Sequence, residues 1–207
     1  MKLANFAFIA LLAIVVSSCG SKSEEKNEQG HQETTTVEAV TYSIDTEASH
    51  VTWQGNVINV YFHSGTVNFN SGSITTENNT VTAGDLSVNM TQINTTDSNY
   101  NEKAPAHKLV SHLQGEEFFN TAKFPDVNFT ITSSEGGVVK GDLTIKGITH
   151  EQTLENLSLE EKDGVLNATG TLTFDRQAYE MKWVHYIKDY TLSDDVDLKI
   201  TITGKAS

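Results

Sequence analysis

From Val40 to the end of the chain, apolar and polar residues alternate with a period of two. Val51, Trp53, Gly55 and Val57 share one face of a segment whose other face carries His50, Thr52, Gln54 and Asn56. Leu86, Val88 and Met90 alternate with Ser87 and Asn89, and Val127, Phe129 and Ile131 with Asn128, Thr130 and Thr132. The pattern returns at Val139, Gly141, Leu143 and Ile145, and at Leu166, Ala168, Gly170, Leu172 and Phe174. It is clearest at the end, where Val196, Leu198, Ile200 and Ile202 oppose Asp197, Lys199, Thr201 and Thr203. Successive side chains of a strand point to opposite sides of the sheet, so each segment predicts a strand with one dry and one wet face. Ser71-Gly72, Asn78-Asn79, Gly136-Gly137 and Asp163-Gly164 read as the turns between strands. The 26 Thr, 17 Val and 12 Ile point the same way, because β-branched side chains suit a pleated surface better than a helix.

One segment departs from this rule. After Pro105, residues Ala106, Leu109, Val110 and Leu113 fall at helical spacing, with Gly115 placed to end the helix. Phe118-Phe119 follow in a short turn, and Pro125 closes the segment. The expected fold is therefore all-β: an antiparallel sheet of about eight strands with one helical insertion. One-sided strands in that number must pack on a second sheet or close into a barrel. A barrel of about eight strands either fills with side chains or holds one small ligand. Periodicity alone leaves both options open. The apolar faces carry no charge, so any cavity they enclose selects an apolar ligand.

The first residues have a different character. Met1-Lys2 precedes an unbroken apolar run from Phe6 to Val16. That run is too short to cross a bilayer, which takes about 20 apolar residues, and it fits the core of a signal peptide. Val16-Ser17-Ser18-Cys19-Gly20 resembles a bacterial lipobox, and Cys19 is the single cysteine of the chain. The expected organisation is a signal peptide over residues 1–18, a lipidated Cys19 with a flexible tether over residues 19–39, and a barrel domain over residues 40–207. The acyl chains on Cys19, palmitate among them, would hold the protein to a membrane. Gly20 rather than Asp after the cysteine resembles outer-membrane sorting. Lys22-Ser23-Glu24-Glu25 resembles signals that carry some lipoproteins to the cell surface, so the expected place is the cell envelope, periplasm-facing or at the surface.

Charge and motifs narrow the function. With 27 acidic and 14 basic residues, the chain lacks the basic balance that nucleic acid demands. A lone cysteine excludes a disulfide framework and cysteine-based metal sites. No Gly-x-Ser-x-Gly elbow and no phosphate loop occur. His107 and His112 are five apart, on different sides of the helix, and no His-Glu-x-x-His occurs. No enzyme activity and no cofactor is expected.

The stretch from His107 to Asn120, followed by Lys123-Phe124-Pro125-Asp126-Val127-Asn128-Phe129, resembles the "HL…dFFd…kfP…F" signature of the YceI-like family. Gly141-Asp142-Leu143-Thr144-Ile145-Lys146-Gly147-Ile148-Thr149-His150 resembles that family's "GdLTikGvTk" segment. Ser49 to Gly55, His63 to Val67, Asp175-Arg176 and Asp194-Asp195-Val196 resemble other elements of the family, so the likeness runs from about Thr41 to Gly204. This resemblance implies an extended lipocalin-like antiparallel barrel. It also implies a long apolar cavity that takes polyisoprenoids, isoprenoid quinones, or fatty acids and amides, for carriage or storage. The chain departs from the family after Asp175-Arg176, where Tyr179 is followed by Glu180-Met181-Lys182-Trp183 rather than glycine. That loop is expected to reshape one mouth of the barrel.

The expected lining comprises Trp53, Phe69, Leu86, Val88, Phe129, Ile131, Leu143, Ile145, Leu172, Phe174, Leu198 and Ile200. Leu109, Leu113, Phe118 and Phe119 would cap or line the entrance. His63 and His112 are candidates to face each other across the mouth and grip a polar head, with Arg176 as a third head-group candidate or the partner of Asp175. Ordinary hydrogen-bonded structural roles also fit these residues. A structural or adhesive lipoprotein with a filled core is the rival reading. The oligomeric state stays open, a dimer included.

Overall fold

The computed structural model describes residues 38–207. Residues 1–18, Cys19 and nearly all of the expected tether lie outside the described residues. Nine strands follow in order: β1 Val40–Ile44, β2 His50–Val57, β3 Tyr61–Glu77, β4 Thr80–Asn89, β5 Asp126–Glu135, β6 Val138–Ile145, β7 Ile148–Lys162, β8 Val165–Asp175 and β9 Leu192–Ala206. All pairings are antiparallel and run β3-β2-β9-β8-β7-β6-β5-β4, and a β3–β4 pairing closes the ring.

The ninth strand does not widen the barrel. β2 occupies the slot between β3 and β9 over the first half of β3, and β1 occupies the same slot over its second half. They are one stave broken by the turn at Asp45, whose carboxylate accepts the backbone N–H groups of Glu47 and Ala48. This shared slot explains β3, which at 17 residues spans about 55 Å. It also corrects the reading of Ser71-Gly72 as a turn. That pair lies inside β3, next to a bulge between Phe69 and Ser71.

The other three expected turns are present. Asn78-Asn79, Gly136-Gly137 and Asp163-Gly164 all have positive φ, as two-residue hairpin turns that follow the strand twist require. Lys146-Gly147 makes a fourth such turn that the sequence reading missed. The three expected turns sit at one end of the barrel together with β1. The other end carries the two long connections, residues 90–125 between β4 and β5 and residues 176–191 between β8 and β9. Helix α1, Ala106–Gln114, lies in the first of these, with Pro105 at its N-cap and Gly115 at its C-cap. Lys146 ties the two connections together, donating to the carbonyls of Glu116 and Glu180.

The ring has one loose seam. β7 and β8 pair only as far as Glu155 and Thr171, beyond a bulge at Asn156 where φ is +53°. Past that point β7 pairs with β6 alone. Tyr179, fully buried, seals the gap by packing edge-on against Phe174 and His150, and its hydroxyl accepts a hydrogen bond from Gln152.

Candidate functional site

The inward faces behave differently in the two halves of the barrel. Around β1 they meet and fill the interior: Tyr42, Ile74, Val81, Val139, Leu166 and Ile202 are all buried there. Toward the long connections they stand apart and enclose a cavity of about 500 Å³, within the range of sites that bury a small ligand.

Each ring strand contributes to its wall. The wall takes Trp53 from β2, Phe69 from β3, Leu86 and Val88 from β4, and Phe129 from β5. Leu143 and Ile145 come from β6, Leu172 and Phe174 from β8, and Leu198 and Ile200 from β9. Leu109 and Leu113 of α1, with Phe118 and Phe119 after it, close over one side of the entrance. Ile131 is not among the cavity residues. β5 parts from β4 beyond Thr130, and Ile131 faces a separate void of about 30 Å³ in the filled half.

Leu86, Phe129, Leu154 and Ile200 line both spaces and form the floor between them. Two glycines make that floor possible. A Cβ at Gly141 would sit 2.4 Å from the Phe129 ring, and one at Gly170 would sit 2.6 Å from the Leu154 side chain. Only a bare backbone lets these two side chains fold across the barrel.

The mouth is where polar groups gather. His63 and His112 both line the cavity, and a chain of ring contacts links them. His63 meets Tyr61 at 5.1 Å, and the Tyr61 hydroxyl is 3.2 Å from Nε2 of His185. His185 meets Trp183 at 5.5 Å, and Trp183 meets His112 at 5.0 Å. Met181, Trp183 and His185 come from the loop where the sequence departs from the family, and they line the cavity.

The hydrogen bonds assign the proton positions. His63 Nδ1 is 3.2 Å from the Asp97 carboxylate, so it carries a proton, and in the neutral ring Nε2 is an acceptor. His185 Nδ1 accepts the backbone N–H of Ile187, so its Nε2 donates to Tyr61, whose own O–H stays available. His112 differs from both. Its Nε2 is buried without a hydrogen-bond partner, and Nδ1 lies 3.9 Å from Glu117. An orphaned polar atom of this kind costs about 1–3 kcal/mol until a partner arrives.

Asp97 anchors this wall. Burial alone would raise its pKa, but the N–H groups of Ser64 and Asn99, the Tyr100 hydroxyl and His63 outweigh burial and hold it below the usual carboxylate range. Its partner Tyr100 is pushed up to about 12 by burial and by the hydrogen bond and charge of Asp97, and stacks on His63 at 5.0 Å.

Arg176 lines the cavity, and each of its three guanidinium nitrogens is bonded to protein. It donates to the carbonyls of Ser193, Met181 and Trp183 and pairs with Asp194 at 3.0 Å. Its expected partner Asp175 instead caps the following turn through the N–H of Gln177. Arg176 thus organises the 181–194 segment with four of its five N–H groups. The strand faces are uncharged as expected, but the connections bring Lys103 and Lys108 to the entrance. Among the described residues no cluster of three His, Cys, Asp or Glu side chains is arranged to hold a metal ion. The sequence reading missed Tyr61, Asp97, Tyr100 and His185, and named Met181 and Trp183 only as part of the loop expected to reshape a mouth of the barrel. The density of rings between Tyr179 and Tyr190 was a usable signal for part of this set.

A closed antiparallel ring with an apolar pocket open at one end defines a lipocalin-like barrel. Residues 42–204 match the YceI-like domain, and the chain belongs to that family. It is 30% identical over 181 residues to Protein YceI of Escherichia coli O6:H1, across 80% of this chain and 87% of that protein. It is 33% identical over 128 residues to a UPF0312 protein of Shewanella denitrificans, across 58% of this chain and 63% of that protein. Among solved structures, BcnA of Burkholderia cenocepacia shares the fold with a TM-score of 0.63 at 17% identity, over 77% of this chain and 98% of that one. A polyisoprenoid binding domain from Saccharophagus degradans, described as implicated in plant cell wall breakdown, gives a TM-score of 0.54 at 14% identity, over 80% and 98%.

Proposed function

We propose that this protein is a membrane-anchored, non-catalytic lipid carrier of the cell envelope, holding one long apolar chain inside the barrel with its polar end at the mouth. The observation that carries the reading is the apolar cavity of about 500 Å³, dry in its depth and polar only at its entrance. Apolar surface removed from water contributes ~25 cal/mol per Å², so such a cavity offers a lipid an alternative to the bilayer. A polyisoprenoid, an isoprenoid quinone, or a fatty acid or amide fits that division. The description of the Saccharophagus degradans domain favours the isoprenoid class.

The mouth supports a hydrogen-bonding head. His63 Nε2 is an acceptor in the neutral ring, the Tyr61 hydroxyl is a donor, and His112 Nε2 lacks a partner. A hydroxyl or carbonyl that met His112 Nε2 after a small shift of the ring would relieve a buried orphan atom. Anchoring rests on the lipobox-like sequence ending at Cys19, and Gly20 favours the outer membrane.

The test is extraction and mass analysis of lipid that co-purifies with residues 38–207, beside a Leu143→Arg variant. Leu143 is buried in the cavity wall. Wild type is expected to carry one apolar lipid per barrel, and the variant none while keeping its β-sheet circular dichroism. A consistently empty wild type, or a folded variant that retains lipid, overturns the reading.

A further inference from the structure

Among the described residues, seven large apolar side chains stand exposed, and six of them lie on two adjoining loops at the mouth end of the barrel. Ile58, Val60 and Phe62 come from the β2–β3 hairpin, and Val184, Tyr186 and Ile187 from the loop between β8 and β9. Val184 and Tyr186 are 76% and 84% exposed. The two loops form one surface. The N–H of Ile58 donates to the Thr191 carbonyl, and Tyr61 of the hairpin contacts His185 and Tyr190 of the loop. An exposed apolar patch of this kind is normally covered by something.

We infer that this rim is a docking surface for a phospholipid bilayer, seated mouth-down so that lipid passes between membrane and cavity without crossing water. This rests on the lipid-carrier reading. Three features select a bilayer over a protein partner. The apolar surface continues inward without a break, because Tyr186 is both largely exposed and part of the cavity lining. A protein cover would block that path, whereas a bilayer extends it. The rim mixes aliphatic side chains with tyrosine, the composition that settles at the boundary of headgroups and acyl chains. Finally, Lys103 and Lys108 line the mouth, and Lys182 and Lys188 lie within the exposed loop, in a chain that is otherwise strongly acidic. Glu102, Glu117, Glu180 and Asp189 lie in the same connections and offset that charge, so the lysines offer individual contacts to lipid phosphates rather than a net positive face.

The test uses residues 38–207, which contain every strand of the closed ring. Sedimentation with phosphatidylcholine vesicles, and the rate of lipid pick-up from them, are measured for wild type, for the Val60→Asp, Val184→Asp double variant, and for Val138→Asp. Val60 and Val184 are exposed and do not line the cavity, and Val138 is the seventh exposed apolar residue, at the filled end. The double variant is expected to lose about tenfold in vesicle partition and in pick-up rate. It should retain lipid already loaded, and Val138→Asp should match wild type. Absence of vesicle binding by wild type, unchanged binding by the double variant, or equal loss with Val138→Asp overturns the inference. So does a wild-type dimer in ultracentrifugation that the double variant dissolves, since the rim's occupant is then a second copy. Vesicle binding through the rim by a barrel that never carries lipid upholds the docking surface and sinks the carrier reading.

Discussion

The two ends of this barrel are built from the same alternating strands and come to opposite outcomes. At the β1 end, Tyr42, Ile74, Val81, Val139, Leu166 and Ile202 meet across the interior, and two-residue turns close the strands. At the other end the same inward faces surround open space, and long connections carrying a helix and an aromatic loop surround the entrance. The difference shows that alternation sets which side chains point inward but not whether they touch. Contact is decided by how wide the ring is held and by what lies over its ends. The filled half concentrates burial and therefore stability. The hollow half gives up packing, and its residues are free to answer to a ligand.

The largest effect should come from trimming the filled half. Leu166→Ala removes a side chain with no exposed surface and should cost about 3 kcal/mol. Leu198→Ala, on a partly buried wall residue facing existing space, should cost under about 1.5 kcal/mol. Urea denaturation of both measures the contrast, and equal losses would erase the distinction between the halves.

A smaller effect follows from Asp97, which holds one wall of the mouth. Its folded pKa is depressed, so its contribution is present above the ordinary carboxylate pKa near 4 and is lost as pH falls through the lower folded value. Asp97→Asn should cost about 1–3 kcal/mol near neutral pH and flatten the stability profile below about pH 4. A variant whose acid profile matches wild type would remove Asp97 from this role.

The smallest effect is also the most discriminating. His112→Leu replaces a side chain whose Nε2 has no partner, so the empty barrel should gain up to about 1 kcal/mol. Its grip on a lipid bearing a hydroxyl or carbonyl head should weaken about tenfold while a bare hydrocarbon is unaffected. Thermal denaturation and competition binding read the two signs separately.

Much of this molecule was legible from its residues. The strands from Val51, Leu86, Phe129, Leu143, Leu172 and Leu198 point inward as alternation required, and the helix begins after Pro105. Ser71-Gly72 misled because one long strand serves two partners in turn, and a bulge there looks locally like a turn. Lys146-Gly147 was missed because lysine carries no turn signal, although its φ of +54° makes it a hairpin residue all the same. Arg176 was paired with its chain neighbour, but the bond runs to Asp194, 18 residues away. Ile131 shares the period of Phe129 but lies past the point where β5 leaves β4.

The resemblance to the YceI-like family implied the closed barrel; by itself the residue pattern determined one-sided strands joined by tight turns and one helix in one connection. These follow from local chemistry: the two-residue period, β-branched side chains, glycine and asparagine at turns, and proline before a helix. The tertiary structure decided where the interior is empty. Phe129 crosses above Gly141 and Leu154 above Gly170, Tyr179 plugs the seam between β7 and β8, and His63, His185 and His112 join one aromatic belt. Each of these depends on residues far apart in the chain arriving at one place. Only the closed ring brings them there.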